Sequence, residues 1–196
     1  MENISQISNT SLIDTLVPDI TLEAFHENQI KKISLSDYRH KWLILFFYPG
    51  DFTFICPTEL EEMAELYEQF RAEGAEALSV SVDSVYVHKA WYDHSPTIAK
   101  IKFPMLADPT GKLCQSLGVY LPNEGKALRG SFIIDPEGLI KSVEVNHNDI
   151  GRSAEELLRK LRAAKFVREN NGLVCPAKWK PGDRTLRPGL DLVGKI

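Results

Sequence analysis

Cysteine is scarce in this sequence of 196 residues, which contains only Cys56, Cys114 and Cys175. No two of them have the close spacing of a Cys-x-x-Cys redox pair or a zinc knuckle. A sparse, odd number of cysteines also argues against the disulfide framework of small secreted proteins. The five histidines show no HExxH or similar spacing, so we expect no metal site.

Long hydrophobic runs and an excess of basic charge are missing too. The longest purely apolar stretch, Trp42 to Tyr48, is far too short to span a membrane. The N-terminus lacks the basic and apolar regions of a secretory signal, so we predict a cytoplasmic protein without a membrane partner. The net charge is −4 and the basic residues are scattered, which argues against nucleic acid as a partner. Gly-x-Gly is absent, and with it the dinucleotide fingerprint and the P-loop.

The composition is sufficient for one hydrophobic core. Apolar residues make up 43% of the chain and charged residues 26%, as in ordinary globular domains. The length fits one domain with an arm. We predict an N-terminal extension over residues 1–17, a domain over 18–169, and a C-terminal arm over 170–196, where glycine and proline are frequent and no periodicity is visible.

The order of predicted elements indicates an α/β fold. Trp42–Pro49 is typical of a strand that is buried on both faces. The segment from Pro57 has apolar residues at helical spacing and ends near Gly74, a residue suited to a helix C-terminus. Further elements are a strand over Glu76–Asp83, a short helix in SVYVHKAWYDH, a turn and short helix in DPTGKLCQSLGV, a hairpin in GSFIIDPEGLIKSVEV, and a helix opened by the capping box Ser153-x-x-Glu156.

Cys56 lies where the strand-like run ends and the helix-like segment begins. Pro57 suits a first helical turn, and the free amides and dipole of a helix N-terminus favour a thiolate. The Thr53 hydroxyl, three residues earlier, can reach the sulfur or a bound substrate, and Pro49 can shield the site from water. From placement alone, a reactive cysteine and a packed core cysteine both remain open.

The spacing Pro49-x-x-x-Thr53-x-x-Cys56 resembles the active-site signature of the peroxiredoxins. Motifs along nearly the whole chain resemble the typical two-cysteine type of bacterial alkyl hydroperoxide reductase C, in the family's order: FFYPGDFTFICPTEL, VHKAW, DPTG, RGSFIIDPEG, GRSAEELLRK, VCPAKW and LDLVGKI. The resemblance implies a thioredoxin-like fold with a central mixed sheet, which agrees with the α/β interpretation. The sequence departs from the pattern at Gly50, where the subfamily often has alanine, and in its longer N-terminal extension.

The resemblance also implies a role for individual residues. Without it, Arg129 would be interpreted as a solvated charge at a strand edge and Arg152 as a charge at a helix start. Cys114 has no role in the family and is expected to be a packed small residue. The expected site consists of the peroxidatic Cys56, Pro49 and Thr53 in its pocket, Arg129 on the thiolate and the peroxide, the supporting Glu59 and Arg152, and the resolving Cys175.

The implied activity is the reduction of hydrogen peroxide and small organic hydroperoxides, an antioxidant function that needs no cofactor on this chain. The sulfenic acid formed on Cys56 is expected to condense with Cys175 of the partner subunit to an intersubunit disulfide. The resemblance implies a homodimer, five of which form a ring. It also implies a reductase partner, which is a dedicated flavoprotein, thioredoxin or another dithiol carrier.

Two other functions remain open at this stage. A thioredoxin-like disulfide reductase is disfavoured because Cys56 has no Cys-x-x-Cys partner. A holdase chaperone or an assembled scaffold is a different class of function, and it would not need Cys56.

Overall fold

A computed structural model describes residues 11–196 of the chain. In this part of the chain the helices are α1 (Cys56–Ala72), α2 (Val85–His94), α3 (Lys112–Ser116) and α4 (Ala154–Glu169). The strands are β1 (Thr21–His26), β2 (Gln29–Ser34), β3 (Trp42–Phe47), β4 (Ala75–Ser81), β5 (Met105–Ala107), β6 (Tyr120–Leu121), β7 (Lys126–Ala127), β8 (Arg129–Ile134) and β9 (Ile140–Asn146). Single 3-10 turns occur at Leu35–Tyr38, Ile98–Lys100 and Leu190–Leu192.

Seven strands form one mixed sheet in the order β2-β1-β5-β4-β3-β8-β9. β3, β4 and β5 run parallel to one another, while β8 is antiparallel to β3 and β1 is antiparallel to β5. The two hairpins, β1–β2 and β8–β9, form the two edges of the sheet. A mixed sheet flanked by helices is the α/β architecture that the order of elements predicts.

β3 is covered on both faces, as predicted from its uninterrupted apolar sequence. All six of its residues are buried. Ile44 and Phe46 pack into a core with α1 and α4, whereas Leu43, Leu45 and Phe47 pack into a second core with α3. A strand between two cores has no solvent face on which polar residues would be favoured. The strand therefore delivers its C-terminal end, and the loop that follows, into the interior of the protein.

The helix after this loop is α1, and its predicted apolar face is confirmed. Leu60, Met63, Tyr67 and Phe70 are all buried. Gly74 follows the helix end with a φ of +75°, a conformation that glycine adopts without the strain of a Cβ. Between residues 11 and 196, no helix is long and apolar enough to cross a membrane.

Part of the predicted N-terminal extension lies against the domain. The backbone N of Asp14 donates to the carbonyl of Ile140 at 2.8 Å, and that of Val17 donates to Gly138 at 2.9 Å. Val17 is buried. These residues therefore contact the hairpin β8–β9, while the first ten residues of the extension lie outside the described part of the chain.

The predicted C-terminal arm folds back onto α4. Trp179 is 3% exposed, and its ring centre lies 4.8 Å from that of Phe166. Arg159 donates to the carbonyl oxygen of Trp179 at 3.0 Å. These contacts leave Cys175 beside the same helix, with its sulfur 3.9 Å from the carbonyl oxygen of Ala163. The boundaries of the extension, the domain and the arm stay predictions.

Candidate active site

Cys56 is the first residue of α1, and its side chain is completely buried. Pro57 follows in the first helical turn, as the sequence predicts. Ile55 at the N-cap has no polar side chain with which to satisfy the free amides of this turn. The positive end of the helix dipole therefore favours a negative charge at Cys56.

Arg129 reaches the sulfur from β8. Its Nη1 atom lies 3.4 Å from Cys56 Sγ and donates to Glu59 Oε2 at 2.6 Å. Its Nε atom donates to the carbonyl oxygen of Asn148 at 2.9 Å, which fixes the plane of the guanidinium. Arg129 is 3% exposed, so the interpretation as a solvated charge at a strand edge is wrong. A charge-assisted hydrogen bond of this kind can stabilise a thiolate.

Glu59 binds a second arginine on its other side. The backbone N and Nε of Arg152 donate to Glu59 Oε1 at 2.8 and 2.9 Å, and its Nη2 donates to Oε2 at 3.0 Å. The Arg152 guanidinium also lies 3.5 Å from the centre of the Phe46 ring. Burial lowers the pKa of Arg152, and the hydrogen bonds to Glu59 oppose that effect. The carboxylate thus holds both guanidinium groups beside the start of α1.

The buried charges of this cluster do not cancel by themselves. Arg129 and Arg152 contribute two positive charges and Glu59 one negative charge, on side chains that are 4%, 1% and 2% exposed. An uncompensated charge is costly in the interior of a protein. A negative charge on the Cys56 sulfur balances the cluster, and a thiolate is the form of cysteine that acts as a nucleophile.

Pro49 and Thr53 lie in the loop between β3 and α1, where Pro49 is buried and Thr53 partly buried. The Thr53 hydroxyl donates to the carbonyl oxygen of Gly50 at 2.8 Å. Its oxygen therefore keeps lone pairs with which to accept a further hydrogen bond. A Cβ at Gly50 would lie 3.5 Å from Asp83 Oδ2, an ordinary contact, so the alanine of the subfamily fits there. The roles of Pro49 and Thr53 in the pocket stay predictions.

A buried polar network lies under this loop, and nothing in the local sequence pattern predicted it. The Asp51 carboxylate accepts a hydrogen bond from the Tyr48 hydroxyl at 2.7 Å and lies 2.7 Å from His88 Nδ1. The backbone N of Asp51 donates to Asp83 Oδ2 at 2.8 Å, and His88 Nε2 lies 3.2 Å from the carbonyl oxygen of Leu106. The sequence shows acids and a histidine close to apolar runs, but it does not indicate that Asp51 pairs with His88.

The other two thiols have different surroundings. Burial raises the pKa of the Cys175 thiol, and the charge of Arg159 opposes that rise. Burial also raises the pKa of Cys114, and the neighbouring Asp108 carboxylate raises it further. Cys114 is completely buried in the core, as predicted for a packed small residue. All three cysteines are free thiols, and the pairing of Cys56 with Cys175 stays a prediction.

The chain is similar to known proteins over most of its length. The sequence profile of the AhpC/TSA family matches residues 13–143, and that of the C-terminal domain of 1-Cys peroxiredoxin matches residues 163–191. The alkyl hydroperoxide reductase C proteins of Pseudomonas aeruginosa and Escherichia coli are each 47% identical to it, over 95% of this chain and 100% of their own length.

Solved structures agree with these sequence matches. The crystal structure of Enterococcus faecalis AhpC gives a TM-score of 0.83 at 50% identity, over 85% of this chain and 100% of that chain. The reduced 2-Cys peroxiredoxin of Plasmodium vivax gives a TM-score of 0.88 at 31% identity, over 92% of this chain and 95% of that chain. The similarity therefore extends over most of the chain.

Proposed function

Because the chain belongs to the AhpC/TSA family, we propose that Cys56 is the residue with which it reduces peroxides. The protein is a peroxiredoxin, a thiol-dependent peroxidase with a thioredoxin-like fold. The observation that supports Cys56 most directly is the distance of 3.4 Å between its sulfur and Arg129 Nη1 at the start of α1. Cys114, by contrast, lies beside the Asp108 carboxylate, which disfavours a thiolate.

In the first step the Cys56 thiolate attacks one oxygen of the peroxide. A sulfur–oxygen bond forms and the oxygen–oxygen bond breaks, so the sulfur is oxidised by two electrons and the peroxide is reduced. The leaving oxygen departs as hydroxide or alkoxide and takes a proton from water. Arg129 can stabilise the negative charge as it moves away from the sulfur, and the Thr53 oxygen can accept a hydrogen bond from the peroxide.

The substrates proposed for this site are hydrogen peroxide and small organic hydroperoxides. Relatives that match this chain over their whole length are named alkyl hydroperoxide reductase C, which supports an alkyl hydroperoxide as one substrate class. Because Cys56 is buried, a small peroxide fits the first step more easily than a large one.

In the second step the sulfenic acid on Cys56 condenses with Cys175 of the partner subunit, and water is released. A disulfide requires Cα atoms within about 7 Å of each other. Cys56 is buried in the first turn of α1 and Cys175 is packed against α4, so both segments have to move. A dithiol reductant then returns both thiols: a dedicated flavoprotein, thioredoxin or a similar carrier.

Oligomers and a reductase partner are typical of this family, and β9 offers a surface for assembly. It is an edge strand of the sheet, and its residues Val143 and Val145 are exposed. An edge strand with exposed apolar side chains favours pairing with another strand. The assembly that we propose is a homodimer joined through this edge, in a ring of five dimers, located in the cytoplasm, where dithiol carriers are kept reduced.

Two measurements test this function. The purified full-length protein should consume hydrogen peroxide and an alkyl hydroperoxide with a dithiol reductant, and dimedone should trap a sulfenic acid on Cys56 but not on Cys114. Protection of a client protein from aggregation without any peroxide turnover would support the chaperone instead.

Native mass measurement in the reduced and oxidised states tests the assembly, and a strict monomer in both states would contradict the intersubunit disulfide.

A further inference from the structure

The pair of Asp51 and His88 is buried close to the catalytic loop, but the two reaction steps use neither residue. Both side chains are 0% exposed, and Asp51 Oδ2 lies 2.7 Å from His88 Nδ1. Burying such a pair has a desolvation cost that apolar residues of similar volume would avoid. Its presence beside the active site therefore requires an explanation beyond core packing.

The hydrogen bonds determine which atoms of the pair carry protons. The carbonyl oxygen of Leu106 can only accept, so His88 Nε2 carries a proton and donates to it at 3.2 Å. The Tyr48 hydroxyl donates to Asp51 Oδ1 at 2.7 Å. A further proton lies between His88 Nδ1 and Asp51 Oδ2, because two bare acceptors would repel each other at 2.7 Å. The carboxylate therefore cannot rotate without breaking a buried hydrogen bond.

Asp51 connects the catalytic loop to three parts of the fold. Its carboxylate binds α2 through His88, and it binds Tyr48, the residue directly after β3. Its backbone N donates to Asp83 Oδ2, just after β4, at 2.8 Å. Burial raises the pKa of the Asp51 carboxyl, and the hydrogen bond to His88 opposes that rise. Without His88, this carboxyl would lose the partner that offsets its burial.

The loop has internal features that make such anchoring necessary. Phe52 has a φ of +54°, a left-handed conformation that residues with a side chain seldom adopt. Its ring is exposed and lies 6.0 Å from that of Trp91. Gly50, next to Asp51, accepts the hydrogen bond from the Thr53 hydroxyl. A shift of Asp51 would therefore move the carbonyl that orients Thr53.

We propose that Asp51 and His88 are positioning residues for peroxide reduction, which fix the loop so that Pro49 and Thr53 keep the peroxide pocket beside Cys56 in shape. The inference rests on the function proposed above. It distinguishes two requirements of the site, a stabilised thiolate and a loop that is held in place. Arg129 stabilises the thiolate from β8, whereas the buried pair acts on the loop. Reaction with a peroxide needs both, but alkylation of the sulfur needs only the thiolate.

Two substitutions of His88 separate its link to the loop from its link to the sheet. Asparagine has its amide nitrogen at the position of Nδ1, so His88→Asn can keep the hydrogen bond to Asp51. Glutamine has its amide nitrogen near the position of Nε2, so His88→Gln can keep only the bond to Leu106. Both variants lose the imidazole ring and its packing, and each is therefore the control for the other.

Three quantities are compared in the full-length reduced enzyme: the single-turnover rate of Cys56 with hydrogen peroxide, its alkylation rate with iodoacetamide at the same pH, and the melting temperature. His88→Gln should lose about 10- to 100-fold in the peroxide rate, as for a reacting group misplaced by about 1 Å, while its alkylation rate changes less than about twofold. His88→Asn should recover most of that loss.

Equal peroxide rates in the two variants, or parallel losses of the peroxide and alkylation rates, would overturn the proposal, because general loosening of the fold acts on both reactions. If neither variant folds, Tyr48→Phe removes only the hydroxyl that binds Asp51. A lower peroxide rate at an unchanged alkylation rate in that variant supports the proposal, and an unchanged peroxide rate overturns it. If the wild-type enzyme did not react with hydrogen peroxide, that result would contradict the proposed function itself, whatever the variants do.

Discussion

Arg152 and Glu59 are joined by three hydrogen bonds of 2.8, 2.9 and 3.0 Å, and their side chains are 1% and 2% exposed. One of the three comes from the backbone N of Arg152, so the contact also fixes the chain just before α4. Glu59 binds Arg129 as well. The acid therefore connects the helix that begins at Cys56 with the strand that supplies the arginine at the sulfur.

Replacing this acid should be costly for stability. In Glu59→Gln, two buried guanidinium groups lose their counter-charge, and we expect the free energy of unfolding to fall by about 3–5 kcal/mol. Urea denaturation measures it. The matched control is Glu61→Gln, which removes the charge from an exposed pair with Lys100 and should leave the stability nearly unchanged, because solvent screens that pair. Equal losses in the two variants would mean that the buried cluster is solvated like a surface ion pair.

If Cys56 is the nucleophile, substitution of the two buried cysteines should have opposite effects on peroxide turnover. Cys56→Ser should abolish steady-state peroxide turnover, because a serine hydroxyl beside Arg129 does not replace the thiolate. Cys114→Ser should keep turnover near that of the wild type, since this thiol packs in the second core. A coupled assay with a dithiol reductant compares them. Substantial turnover by Cys56→Ser would remove the proposed mechanism.

Arg129 should not be replaceable by lysine. Its guanidinium donates through Nε to Asn148 and through Nη1 to Cys56 and Glu59, whereas a lysine has one nitrogen on a flexible chain. We expect Arg129→Lys to lose about 10- to 1000-fold in the rate with peroxide, the range for losing a preorganised donor. Arg168→Lys, at an exposed pair with Glu137, is the control. An unchanged rate would make the role of Arg129 structural.

The resolving role of Cys175 predicts a change in the oxidised product. After peroxide treatment, the wild type should run as a disulfide-linked dimer on a non-reducing gel. Cys175→Ser should remain a monomer there, and its Cys56 should accumulate sulfinic acid, because no thiol removes the sulfenic acid first. Mass spectrometry of the Cys56 peptide measures this. A disulfide-linked dimer in Cys175→Ser would assign the resolving role to another thiol.

The raised pKa of Cys175 predicts the pH dependence of disulfide formation. The thiolate attacks the sulfenic acid, and a raised pKa keeps Cys175 protonated at neutral pH, so the rate should increase as the pH rises from about 6 to 9. Rapid quenching at each pH measures the rate of disulfide formation. A rate independent of pH would mean that movement of the arm limits the step.

Elements with a local signal could be predicted from the sequence, and elements without one could not. The apolar run of β3 and the helical spacing in α1 are such signals. The sequence does not predict the hairpin β1–β2, because its turn, Glu27 and Asn28, contains no glycine. Both residues have positive φ, +51° and +58°, a turn for which Asn-Gly is the usual sequence.

The capping box predicted at the start of α4 forms only in part, because tertiary contacts provide other partners. Ser153 accepts a hydrogen bond from the backbone N of Glu156 at 3.3 Å, as the capping box predicts. The Glu156 carboxylate, however, binds Arg159 instead of returning to the cap. Glu62 of α1 accepts from Ala154 N at 3.0 Å and satisfies the start of α4 from outside. A local pattern cannot indicate a partner that lies on another helix.

The candidate site also contains residues that a local sequence signal indicates and residues that no such signal indicates. Pro57 and the change from strand to helix indicated Cys56, but Arg129 and Glu59 are 70 residues apart and were joined only by the family resemblance. The pairing of Asp51 with His88, 37 residues away, had neither kind of signal. A buried ion pair depends on how α2 packs against the loop, and this packing has no periodic signature.

Two tryptophans lie close to the catalytic loop and to the arm. The Trp91 ring contacts Phe52 in the catalytic loop, and Trp179 anchors the arm that contains Cys175. The third, Trp42, is buried in β3 and lines the same cavity as Cys175. The enzyme therefore contains two optical reporters of its own. With the other tryptophans replaced by phenylalanine, the emission of Trp91 would time the motion of the loop and that of Trp179 the departure of the arm, so the order of the two events is measurable without an added dye.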